Sequence, residues 1–86
     1  MLRVSRTIEH DTVTLLLEGK LLAPWVDEVR TLVDHRQSNR PRRLNLGAVD
    51  FVDRDGAQLL AALRREGIEL VNCTPFVASL IDLHNS

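Results

Sequence analysis

The side chains of this sequence with the right types for chemistry are few, and their spacing excludes most of it. His10, His35 and His84 lie far apart, whereas a helical metal site needs two imidazoles about four residues apart. The single cysteine, Cys73, excludes an internal disulfide and any multi-cysteine metal centre, and reads as a small core residue. Glu9-His10-Asp11 has the composition of an acid-base pair, but a reversal between two strands asks for the same residues, because Asp bonds its own backbone there. No glycine-rich phosphate cradle and no serine-nucleophile motif occurs. The expectation is a protein without metal or cofactor that is not an enzyme.

Asp53-Arg54-Asp55-Gly56 is the remaining concentration of charge. Setting Gly56 at the sixth position of a calcium loop puts Phe51 at the first ligand and Ala62 at the last, so two essential oxygen donors are missing. A phosphoaspartate receiver with Asp55 as acceptor needs further acids around a magnesium ion and a lysine facing them, and the sequence has only Lys20. What is left is an acidic helix start. The unpaired amides and the macrodipole of a first turn favour negative charge, so Asp53 as N-cap and Asp55 within the first turn are satisfied by folding alone. The same geometry would hold a phosphate on a residue at this place. Asp50, Asp53, Arg54, Asp55 and Gln58, bunched at this start, form the candidate partner-binding surface.

The elements that must position these residues follow from periodicity and punctuation. Leu2, Val4 and Ile8 alternate with polar neighbours, and Thr12 to Leu17 is β-branched and apolar, which predicts a hairpin turning at Glu9-His10-Asp11. Gly19 is expected to end the second strand. Pro24 suits the first turn of a helix, with Leu22, Trp25, Val26, Val29, Leu32 and Val33 on one face and Asp27, Glu28 and Arg30 outside. That helix should stop before Gln37-Ser38-Asn39-Arg40-Pro41. Arg43 to Leu46 reads as a short strand and Gly47 to Val52 as an apolar connection. The second helix buries Gly56, Leu59, Leu60 and Leu63 and stops at Gly67. A strand over Ile68 to Val71 and a last helix follow, capped by Thr74 with Pro75 behind it and turning Phe76, Val77, Leu80 and Ile81 inward. The order is ββαβαβα: one small α/β domain over residues 1–86, with a mixed four-stranded sheet and three helices.

Composition bounds the partners. Of 86 residues, 44% are apolar and 27% charged, enough for one packed core. Eleven basic and twelve acidic side chains leave a formal charge of −1, so no field draws the chain to nucleic acid. The basic run Arg36, Arg40, Arg42, Arg43 carries no interleaved aromatic for base stacking and reads as a solvated loop. No stretch approaches the ~20 apolar residues of a membrane span, and the first residues hold no uninterrupted apolar signal segment. A cytoplasmic, uninserted protein is expected, with a homodimer as one way to hide an incompletely covered sheet.

The segment Leu44-Asn45-Leu46-Gly47-Ala48-Val49-Asp50-Phe51-Val52-Asp53-Arg54-Asp55-Gly56 resembles the STAS family, with its central strand, its "v-x-f-x-D" loop and its D-S-S-G helix start. Leu17-Glu18-Gly19-Lys20-Leu21 is similar to the family's G-x-L step, and Gly67 to Val71 and Pro75-Phe76-Val77 extend the likeness over most of the chain. The resemblance implies the anti-sigma-factor-antagonist-like fold and a non-enzymatic interaction module in bacterial signalling and transcription regulation. It implies a regulatory partner such as an anti-sigma-factor kinase, and a phosphorylated serine at the position of Asp55. Arg54 replaces the first serine of the motif and Asp55 the second, so the phosphorylatable group is missing. Asn45 stands where the family has an acid, and the final strand and helix of longer members have no counterpart before Ser86. The alternative on the same fold is a small accessory subunit of a lipid-transport ATPase, with Trp25 as an exposed anchor.

Overall fold

The computed structural model describes residues 2–33 and 41–84. Its elements are β1 (Leu2–Glu9), β2 (Thr12–Leu21), α1 (Ala23–Leu32), β3 (Arg43–Val52), α2 (Arg54–Arg65), β4 (Glu69–Val71) and α3 (Pro75–Leu83), the expected ββαβαβα order. One sheet runs β1-β2-β3-β4, antiparallel between β1 and β2 and parallel from β2 onward. α1 ends at Leu32 with its C-cap at Val33, ahead of Gln37 as expected; His35 and the basic residues Arg36 and Arg40 lie outside the described residues.

The hairpin is tighter than expected. Glu9 pairs with Thr12, so Glu9 belongs to the strand and the turn is His10-Asp11 alone. Both turn residues have positive φ, 49° and 65°, which matches the right-handed twist of the strands they join. Gly19 does not end β2. It takes φ 103° inside the strand, which continues to Leu21.

The largest departure is β3, where the expected four-residue strand and connection are a single ten-residue strand. Leu16 pairs with Asn45 but Glu18 with Ala48, and Gly19 pairs with Val49 but Lys20 with Phe51. In each interval β3 holds one residue more than β2, which is the signature of a β-bulge. The strict alternation of a strand is lost as a result. Leu44, Leu46, Val49 and Val52 are all buried, at spacings of two, three and three.

Alternation in β2 shows which face is covered. Val13, Leu15, Leu17 and Leu21 are buried, whereas Thr12, Thr14, Leu16 and Glu18 on the opposite face are only half-buried. The covered face joins Val29 and Val33 of the α1 end, Leu60 and Leu63 of α2, and Val77 and Ile81 of α3 in a single core cluster. Gly56, Leu59, Leu60 and Leu63 are buried as their spacing requires, and Ala57 and Ala61 widen the stripe. In α1 only Val29 is fully buried, while Trp25, Val26 and Leu32 pack half-buried against the cluster. Cys73 packs there too. Phe76 is a correction: it is 56% exposed, because Val77 and Ile81 already turn the inner side of α3 to the sheet. Thr74 caps α3 as expected, its Oγ1 accepting from Val77 N at 3.3 Å.

Candidate interaction surface

The local sequence dictates how α2 begins. Asp53 sits at the N-cap in extended conformation, and its Oδ1 accepts from Gly56 N at 2.8 Å. The other carboxylate oxygen, Oδ2, accepts from Ala23 N at 2.8 Å. Ala23 is the first residue of α1, whose own cap residue, Leu22, has no side-chain bond to offer. One carboxylate therefore serves the starts of two helices and satisfies an amide that α1 leaves open. Asp53 N also donates to Leu21 O at 3.2 Å, which closes the junction onto the end of β2.

Gly56 is held by the same junction. A Cβ built on it would lie 2.4 Å from the carbonyl oxygen of Leu21, so only glycine lets the first turn of α2 approach β2 this closely. Of the four residues Asp53 to Gly56, the outer two are thus tied into the scaffold. The inner two are not. Arg54 and Asp55 are exposed, and their side chains make no hydrogen bond or ion pair among the described residues.

Asp55 and Gln58 border an open groove of about 490 Å³ between α1 and α2, whose other wall includes Val26, Asp27 and Arg30 of α1. Arg30 Nη1 is 2.9 Å from Glu66 Oε2, an exposed pair that fixes one end of the groove. Sequence spacing placed Asp27, Glu28 and Arg30 on the outside of α1, but gave no signal that Asp27 and Arg30 meet Asp55 and Gln58. That is a tertiary fact, set by the helix starts sharing Asp53.

Asp50 does not line this groove. It lies on β3, with Oδ1 3.2 Å from Lys20 Nζ of β2, both side chains more than half exposed. Next to it Phe51 packs on Phe76, ring centroids 6.4 Å apart and planes tilted by 34°, in the offset range that aromatic pairs favour. The two rings cover each other because neither fits the core. Of the five expected site residues, Asp55 and Gln58 come together with α1, Arg54 is exposed at the start of α2 without lining the groove, Asp53 is the joint, and Asp50 stands apart.

Other chemistry-bearing residues do not converge. Among the described residues no group of His, Cys, Asp and Glu is placed to hold a metal ion. His10 is in the hairpin turn and His84 ends α3. Burial pushes the Cys73 thiol up from its ordinary value, with Arg64 pulling the other way and Asp82 adding to the rise, so it is a poor nucleophile near neutral pH. Asn45 Oδ1 accepts from Gly47 N at 2.9 Å and from Asn72 Nδ2 at 3.3 Å, tying the bulged part of β3 to the turn after β4.

Comparison with solved structures decides the fold. The anti-sigma factor antagonist SpoIIAA, solved in its unphosphorylated form, superposes with a TM-score of 0.69 over 96% of this chain and 83% of that chain, at 20% sequence identity. The chain has the STAS fold. No protein-family model matches it, and no curated protein matches it in sequence. On this STAS fold the junction of β2, α1 and α2 is closed by Asp53 and Gly56, and the groove flanks it. Among the described residues no helix is long and apolar enough to cross a membrane.

Proposed function

We propose that this chain is a non-enzymatic interaction module, an anti-sigma-factor-antagonist-like regulator whose docking surface is Arg54, Asp55 and Gln58 with the facing side of α1. The observation that carries this reading is the division of the Asp53 to Gly56 segment: its outer residues are consumed by the fold, and its inner pair is exposed with no partner among the described residues. Charged side chains held at a fixed place by a rigid helix start, with no role inside the molecule, are what a partner surface requires. SpoIIAA, which has this fold, is an anti-sigma factor antagonist. The natural partner is then a regulatory protein such as an anti-sigma-factor kinase, in the cytoplasm. Asp55 carries one fixed negative charge where phosphoserine carries about 1.5 to 2 and three acceptor oxygens. The module is constitutive, not switched.

The test is affinity purification of the tagged protein from its native host with mass spectrometry of what co-elutes. An anti-sigma-factor kinase is expected from the parent and should be lost from the Arg54→Ala, Asp55→Ser double variant, which changes exposed positions and should leave stability within about 0.5 kcal/mol. Undiminished binding by the double variant would overturn the surface. Recovery of a transport ATPase would instead support the accessory-subunit reading. The exposed anchor on which that reading leans is not favoured, since Trp25 is half-buried against the core cluster.

A further inference from the structure

The outer edge of β1 is specified by the hairpin turn. A two-residue turn is flanked by a pair that exchanges both backbone hydrogen bonds, here Glu9 and Thr12. Bonded and non-bonded positions then alternate, so Arg3, Ser5 and Thr7 spend their backbone groups on Glu18, Leu16 and Thr14. The N–H and C=O groups of Leu2, Val4 and Ile8 point the other way, and β1 is the outermost strand of the sheet. An eight-residue edge with no proline, no lysine and no bulge lacks several devices that usually keep such an edge from pairing. Its apolar residue Ile8 is 65% exposed.

The residues of this edge complement themselves in one register. A strand that pairs antiparallel with its own copy does so about a two-fold axis normal to the sheet, and that axis passes through one residue. With Ser5 on the axis the overlap runs from Leu2 to Ile8. Leu2 then faces the partner's Ile8 at both ends, Val4 faces the partner's Arg6, Arg3 faces the partner's Thr7, and no like charges are opposed. Placing Arg6 on the axis sets two guanidinium groups against each other. Placing Val4 there leaves Ile8 outside the overlap, and placing Thr7 there sets Ile8 against the partner's Arg6. The Ser5 and Arg6 registers both overlap over seven residues and set an apolar side chain against the exposed isoleucine, and of the two only the Ser5 register opposes no like charges.

We propose that two copies of this chain pair antiparallel along β1 with Ser5 on the two-fold axis, joining two four-stranded sheets into one of eight strands with the helices of both copies on the same face. The pairing is independent of the regulatory reading, because it uses the sheet edge and not the start of α2.

Two measurements test it. Sedimentation equilibrium should give twice the 9.7 kDa chain mass, and Ile8→Asp, at an exposed position that leaves the monomer folded, should weaken the dimer about tenfold or more. In a Cys73→Ala background, Ser5→Cys should cross-link to itself on mild oxidation, because a non-hydrogen-bonded pair holds its Cα atoms about 4.5 Å apart, within disulfide range. Arg3→Cys and Thr7→Cys should each stay unlinked alone and cross-link when mixed. A 9.7 kDa species at the highest soluble concentration would overturn the proposal. So would a doubled mass in which Ser5→Cys stays unlinked.

Discussion

Asp53 accepts from Gly56 N and from Ala23 N with its two oxygens, so its removal leaves two helix starts short of an acceptor. Asp53→Ala should cost about 2 kcal/mol, the loss of an N-cap together with a second amide bond, read as a lower urea midpoint with unchanged slope. Gly56→Ala presents the opposite fault: the added methyl meets the Leu21 carbonyl, which is backbone and cannot swing away, and about 3 kcal/mol should be lost. Cys73 adds a pH dependence. Its thiol is raised above the ordinary 9.0 by burial, Arg64 opposing and Asp82 reinforcing the rise. The unfolded chain therefore sheds this proton first. Stability from this residue is present in full below pH 9 and is lost as the pH rises through the raised native value. Urea midpoints measured across the alkaline range should fall less steeply for Cys73→Ala than for the parent. At this scale the N-cap role of Asp53 was legible in the sequence, since it needs only local spacing. The bond to Ala23 was not, because 30 residues separate the partners and nothing in either neighbourhood marks the other.

Elements were legible where a single period rules them. The stripe of α2, the caps of α3 and the alternation of β2 all follow local rules that tertiary contacts did not override. β3 was not legible over its whole length, because its two bulges replace the two-residue period with spacings of two, three and three. A reader of the sequence sees Gly47-Ala48 and Asp50-Phe51 as breaks in a strand, whereas Ala48 and Phe51 pair with Glu18 and Lys20, and the bulges take up one extra residue at Leu46-Gly47 and one at Asp50 as the strand curls past β2. Phe76 misled for another reason: an aromatic beside Val77 in a helix of this composition passes for core, yet its ring is turned to Phe51 near the surface. Phe76→Ala should therefore cost less than about 1 kcal/mol, far below the 3 to 5 of a core aromatic, while Thr74→Ala should cost about 1 kcal/mol through the lost bond to Val77 N. Thermal unfolding of the two variants side by side checks both; a larger loss from Phe76→Ala would mean that the ring is packed more deeply than its exposure indicates.

Across the whole molecule, protection should be graded by place in the sheet. β2 and β3 are flanked on both sides and bury Leu15, Leu17, Leu44 and Leu46 under the helices, so their amides should exchange slowest, at a rate set by global unfolding. Amides at the far end of α3, beside the 71% exposed Leu83, should exchange orders of magnitude faster. Faster exchange in β2 than in α3 would contradict the core described for this fold. The topology itself was open to sequence reading, because strands alternating with helices after a hairpin leave few arrangements. The groove was not, because it forms where two helices begin at one carboxylate. That shared beginning also bears on how such a protein changes over generations. Asp53 and Gly56 answer to the architecture, while codons 54 and 55 answer to nothing inside the chain. A lineage can rewrite the middle pair one substitution at a time with no compensating change elsewhere, so heritable variation in allegiance is uncoupled from the inheritance of shape.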